Sequence, residues 1–197
     1  IDIETRDGIQ QLEVPLDLKD RALEAASDGI TISDLSRPDN PLIYVNSGFE
    51  QLTGYTRDSV LGRNCRFLQG PETDRDAAET IREAIGERRE CTVEILNYRR
   101  DGSPFWNRLS ITPVRDGDGR VTHFIGVQSD ITDRRNAENR LRAANVKMKN
   151  DLVTAARVQQ AMLPEALPEA EGFRFAWRYR PCEELAGDTL NCFRLDE

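Results

Sequence analysis

Three runs of alternating apolar and polar residues, joined by two glycine-bearing turns, constrain this chain more than any other feature. Residues 91–99, 105–115 and 121–129 largely alternate between apolar and polar positions, which is the period of a half-buried β-strand. Arg100-Asp101-Gly102 and Asp116-Gly117-Asp118-Gly119 separate them, as turn residues separate neighbouring strands. The alternation sorts side chains onto faces. Val93, Ile95 and Asn97 share one face of the first strand. Phe105, Asn107, Leu109 and Ile111 share one face of the second, and Phe124, Gly126 and Gln128 one face of the third. Each strand thus sets one carboxamide among apolar neighbours. A buried carboxamide without partners costs a few kcal/mol. Two readings account for three of them. They meet a common polar ligand in an apolar pocket, where Gly126 leaves room for a flat ring, or they cap sheet edges and bond to loops.

The chain ahead of these strands is mixed. Residues 1–17 are polar, broken by Gly8 and Pro15, with Ile9, Leu12 and Leu16 at the spacing of a short amphipathic turn. Residues 18–26 read as a helix carrying Leu18, Ala22, Leu23 and Ala26 on one stripe, either solvated or packed on a sheet or a partner. Ser27-Asp28-Gly29 breaks the chain before a short strand at 30–33, and a proline-rich turn at 37–41 leads to a second at 42–45. Phe49 and Leu52 suggest a helical segment over 46–54, closed by Gly54. Thr73, with Asp76 three residues later, has the form of a variant capping box. The helix it would open turns Ala77, Ala78, Ile81 and Ile85 inward and carries Arg82.

Between these helices lies Gly62-Arg63-Asn64-Cys65-Arg66-Phe67-Leu68-Gln69-Gly70. A short helical turn brings Asn64, Cys65 and Gln69 onto neighbouring positions. A lone cysteine in a protein is commonly a small buried hydrophobe. Here the thiol adjoins a guanidinium, and two amides beside it both donate and accept hydrogen bonds. This run closely resembles the signature of LOV domains, the blue-light-sensing, flavin-binding branch of the PAS fold. The resemblance extends over residues 26–132, including Tyr44-Val45-Asn46, Thr53-Gly54-Tyr55 and the exit motif Asp130-Ile131-Thr132-Asp133-Arg134.

The resemblance implies an α+β fold, an antiparallel five-stranded sheet with flanking helices, and a bound flavin: FMN ahead of FAD or riboflavin. By the same resemblance Cys65 bonds to a flavin carbon after illumination, and Arg66 and Arg82 grip the flavin phosphate. Guanidinium forks suit phosphate because they donate paired hydrogen bonds. Asn97, Asn107 and Gln128 match the amides that hold the pyrimidine edge, and Leu109 and Phe124 match apolar walls. Asn64, Leu68 and Gln69 complete the implied pocket. Gln128, two residues before the exit motif, is the implied signal relay, because a glutamine answers a change from acceptor to donor by rotating.

Whole-chain properties narrow the alternatives. The 197 residues carry 35 acidic and 27 basic side chains, a formal net charge of -8. That balance argues against non-specific nucleic-acid binding and against an anionic membrane surface as a main partner. No apolar run approaches a membrane-spanning length. The cysteines (65, 91, 182 and 192) form no closely spaced pair, and a photoactive thiol needs a reducing compartment, so the cytoplasm is expected. The chain opens on Ile1 without a signal-peptide pattern, and the native start is expected to lie upstream.

Residues 133–162 hold no Gly or Pro and read as one long helix. One heptad register places Leu141, Asn145, Met148, Leu152, Ala155, Gln159 and Met162 on a seam, that of a marginal dimeric coiled coil in which Asn145 fixes the register. The alternative is a single solvated helix packed back on the sheet. Pro164 and Pro168 end it. Beyond them Phe173, Phe175, Trp177 and Tyr179 alternate with Arg and Ala as in a half-buried strand. Ala156-Arg157-Val158-Gln159-Gln160, Leu163-Pro164, the strand ending at Pro181 and Ala186-Gly187-Asp188 together resemble the entry to bacterial serine/threonine phosphatases of the protein phosphatase 2C class. That resemblance implies Asp188 as a ligand for magnesium or manganese, with Ala186 and Asn191 departing from the pattern, and a phosphoprotein as substrate of a complete parent enzyme. The stretch is too short to be that enzyme.

The expected organisation is therefore a lead-in at 1–25, a photosensor at 26–132, a helical linker at 133–163 that makes a homodimer, and the start of an output domain at 164–197. A sensor histidine kinase is disfavoured because the sole histidine, His123, falls inside a predicted strand. A redox flavin enzyme lacks any nicotinamide or substrate motif. A PAS module that senses redox state or another small ligand remains the alternative.

Overall fold

The computed structural model describes residues 15–161. The chain divides into two compact units, the first ending at Arg135 and the second beginning at Asn136. The first opens with α1 (Leu16–Ala25), followed by β1 (Gly29–Asp34), β2 (Leu42–Val45), α2 (Ser47–Thr53) and α3 (Arg57–Val60). A 3₁₀ turn (Cys65–Leu68), α4 (Arg75–Gly86), β3 (Cys91–Tyr98), β4 (Pro104–Arg115) and β5 (Val121–Asp130) complete it. The helix α5 (Thr132–Ala161) follows.

The strands form one sheet in the order β2-β1-β5-β4-β3, and all four pairings are antiparallel. The predicted turns close the hairpins: Gly102 N donates to Arg99 O at 3.0 Å, and Asp116 Oδ1 accepts from Asp118 N and Arg120 N at 3.0 and 2.9 Å. Register carries the face assignments across strands. Ile95 pairs with Asn107, Leu109 with Gln128, and Gly126 with both Ile111 and Thr31.

The segment between β2 and β3 supplies the layer on this face. It forms two apolar clusters. Leu42, Val45, Phe49, Val60 and Leu68 make one, with Cys65 and Phe67 packed against it. Ala84, Ile111, Val121 and Phe124 make the other, with Ile81, Ile85 and Leu109 alongside. Removing a fully buried ring such as Phe49 costs about 3–5 kcal/mol.

Asn46 fastens the edge of this layer. As N-cap of α2 its Oδ1 accepts from Phe49 N at 2.9 Å and from Ile30 N at 2.7 Å. Its Nδ2 donates to Leu23 O and Asp28 O, each at 3.0 Å. One buried amide thus satisfies groups from α1, β1 and α2 that would otherwise be orphaned.

Of the two readings of α1 the structure has the solvated one: none of its residues is buried, and Leu18 is 49 % exposed. Polar contacts hold that helix. Elsewhere the structure differs from expectation. The N-cap of α4 is Asp74, whose side chain accepts from Asp76 N; Thr73 is committed elsewhere. The short α3 was not anticipated. The seam residue Met162, the strand at 173–179 and Asp188 lie outside the described residues. Among the described residues no helix is long and apolar enough to cross a membrane, and no group of three or more His, Cys, Asp or Glu is placed to hold a metal.

Candidate functional site

A cavity of about 220 Å³ lies between the two apolar clusters. Sheet strands β1, β3, β4 and β5 supply one wall, and the 3₁₀ turn and α4 the other. All eleven residues singled out from sequence for the pocket line it: Asn64, Cys65, Arg66, Leu68, Gln69, Arg82, Asn97, Asn107, Leu109, Phe124 and Gln128. Thr31, Ser33 and Asn40 line it too and were missed. The first two share the inward face of β1, so the alternation rule could have found them. Asn40 adopts a left-handed backbone (φ 48°) beside Asp39 (φ 67°), a local fold with no signal beyond a turn.

The three carboxamides form a row. Asn107 Nδ2 donates to Asn97 Oδ1 at 2.9 Å and to Gln128 Oε1 at 3.5 Å. Gln128 Nε2 reaches Cys65 Sγ at 3.8 Å. All three amides are at most 4 % exposed. Asn107 Oδ1 is buried with no hydrogen-bond partner, a state that costs on the order of 1–3 kcal/mol. Beside this row a Cβ at Gly126 would stand 2.6 Å from Thr31 Oγ1, so a larger residue there would displace the threonine on the cavity wall. Burial pushes the Cys65 thiol up to about 12, against the weaker opposing pull of Gln128. The group is a protonated thiol at neutral pH.

At the rim the charges are paired and solvated. Arg66 holds Asp39 at 2.7 Å, and Arg82 bonds Glu79 on its own helix. Asn64 Nδ2 donates to Asp39 O at 2.6 Å while its Oδ1 caps the 3₁₀ turn at Arg66 N. The loop before β2 therefore fixes the cysteine-bearing turn from outside the cavity. Leu68 is buried beneath it.

A five-stranded antiparallel sheet in this order, with a helical crossover enclosing a polar-lined cavity, agrees with the family comparison: the PAS domain model matches residues 27–133. The chain belongs to the PAS domain family. A LOV domain from a blue-light activated histidine kinase of Erythrobacter litoralis is 50 % identical to it, with a TM-score of 0.52, covering 53 % of this chain and 96 % of that one. This PAS domain is accordingly of the LOV type. An RNA-binding light-oxygen-voltage receptor is 41 % identical, with a TM-score of 0.64, over 74 % of this chain and 41 % of that receptor. The bacterioopsin transcriptional activator of Halobacterium salinarum is 47 % identical over 97 % of this chain and 32 % of its own length. The chain spans about a third or less of the curated relatives it matches.

Proposed function

We propose that residues 27–133 are a blue-light photoreceptor module that binds FMN and reacts with it through Cys65. The observation that carries this reading is the row Asn97–Asn107–Gln128 ending at the Cys65 sulfur inside one cavity of a LOV-type domain. The donor set suits a flavin. The unpartnered Asn107 Oδ1 asks for a donor such as the imide N–H of a flavin's polar edge. Gly126 leaves room for a ring, and Arg66 and Arg82 at the rim suit a phosphate that would replace their carboxylate partners. A bound flavin excited by blue light would supply a ring C=N unit open to addition of the Cys65 S–H, sulfur to carbon and proton to nitrogen.

The chain's own residues prepare that addition. Burial keeps the proton on Cys65, so the thiol itself would bring the proton that the addition needs. Leu109 and Phe124 exclude water. Gln128 carries a donor and an acceptor on one rotatable group and sits between the thiol and Asn107, which supports its role as the relay toward Asp130 and α5. We further read α5 as the dimerising element.

The output is a separate proposal. The residue pattern of 164–197 supports a metal-dependent phosphatase with Asp188 as a magnesium or manganese ligand and a phosphoprotein substrate. The name of the Halobacterium relative, which matches almost the whole chain, supports control of transcription instead. Light-dependent phosphatase activity or light-dependent DNA binding in the full-length protein separates the two.

The deciding experiment for the sensor is absorption spectroscopy of purified protein, dark and after blue light, beside Cys65→Ala. A flavin band that bleaches reversibly only with Cys65 present is the expected result. A bound flavin that never bleaches would leave a redox- or ligand-sensing PAS module, and absence of flavin would overturn the reading.

A further inference from the structure

The turn that carries Cys65 is anchored at both ends. Upstream, Leu42 N donates to Arg63 O at 2.8 Å and Gly62 N to Leu42 O at 2.9 Å, tying it to β2. Downstream the anchor is Thr73, the residue whose sequence signature pointed to a helix cap. Its hydroxyl accepts from Gly70 N at 2.9 Å and donates to Leu96 O on β3 at 2.6 Å. Gly70 itself lies against the ring of Tyr98, where a Cβ would stand 2.3 Å from a ring carbon. Tyr98 Oη in turn accepts from Glu72 N at 3.2 Å.

Leu96 O has a second donor. Asn97 Nδ2 bonds it at 3.2 Å, which leaves Asn97 Oδ1 facing Asn107. The interactions therefore close a circuit: Cys65 to Gln128, Asn107 and Asn97, on to Leu96 O, then Thr73, Gly70 and back along the turn to Cys65. One hydroxyl connects the turn that aims the sulfur to the amide row that aims the ligand.

We propose that Thr73 is a positioning residue for the Cys65 photoreaction, setting the alignment of the sulfur with the amide row through Gly70 and Leu96. This rests on the photoreceptor reading above. A plain loop staple would contribute only stability. A positioning role changes how efficiently an already bound flavin reacts, because small misplacements of reacting groups cost rate steeply.

The test compares Thr73→Val, which keeps shape and removes both hydrogen bonds, with Thr73→Ser, which keeps them. Adduct yield per absorbed photon is measured for the flavin-loaded fraction only, together with flavin occupancy and melting temperature. The expected result is roughly three- to tenfold lower yield for Thr73→Val, with flavin retained, and a yield restored by Thr73→Ser. Parent-like yield in Thr73→Val would overturn the proposal while leaving the sensor intact. Should Thr73→Val and Thr73→Ala both lose flavin, the residue serves pocket stability and the positioning role falls. If the parent itself fails to bleach, the sensor reading is what has failed.

Discussion

At the scale of single residues, the informative group is Gln128. It is 1 % exposed, pairs across the sheet with Gly29 and Leu109, and touches both Asn107 and the Cys65 sulfur. Two residues on, Asp130 accepts from Arg99 at 2.6 Å and from Thr132 N at 2.8 Å, and Ile131 N donates to Trp106 O at 2.9 Å. On the proposed relay, a rotation of the glutamine amide acts where β5 gives way to α5. Gln128→Leu fills similar space without donor or acceptor. It should still bleach under blue light with folding stability changed by about 1 kcal/mol. The light-induced change in amide hydrogen exchange across 131–140 should fall several-fold. A full light response in that variant would remove Gln128 from the relay.

At the scale of elements, α1 shows what a sequence pattern hides. Its apolar stripe left solvation and hydrophobic docking open, and the helix is held by polar contacts, the Asn46 amide on Leu23 O and above all the Glu24 carboxylate. Glu24 accepts from Arg57 at 2.5 Å, from Tyr44 Oη at 3.1 Å and from Ser47 N at 2.9 Å, while Glu24 O accepts from Ser47 Oγ. Partial burial opposes the charge, but the bonds from Ser47, Arg57 and Tyr44 outweigh it and hold the carboxyl below its ordinary value of 4.5. Because the folded value is depressed, the latch contributes fully above about pH 4.5 and is lost as the pH falls through the lower folded value. Glu24→Gln should loosen α1 by about 1 kcal/mol, a figure discounted for solvent screening. Hydrogen exchange over 16–25 at pH 7 reads this directly, and parent-like protection in the variant would sink the latch. The strands were legible because alternation and glycine turns are local. β2 runs over 42–45 as expected, and β1 and β3 to β5 shift by a single residue at one or both ends. The pocket amides were legible for the same reason. Asn46 and the true task of Thr73 were not, since each depends on a partner from another element that no local pattern announces.

At the scale of the molecule, α5 carries the question of assembly. It is a 30-residue helix with no buried residue, about 45 Å long at the rise of an α-helix. Leu141 and Met148 are 65 % and 60 % exposed and fall on the predicted seam with Asn145 and Leu152. Most helical stability in proteins comes from packing of an apolar face rather than from propensity, and a second copy would cover the seam. In the proposed coiled coil, Asn145 at the seam would cost stability and select one register. Leu141→Glu with Leu152→Glu removes two leucines per chain that a dimer would bury and sets like charges against each other. At about 1.5–3 kcal/mol for each of the four leucines in a dimer, the loss corresponds to a dimer weaker by roughly 10,000-fold or more. Sedimentation equilibrium over a concentration series should show a dimer for the parent and a monomer for the double variant, with the flavin band unchanged. Asn145→Leu should tighten association yet yield mixed assemblies. A parent that sediments as a monomer at every concentration would instead assign α5 to a single-chain role, and the seam would then await a different partner.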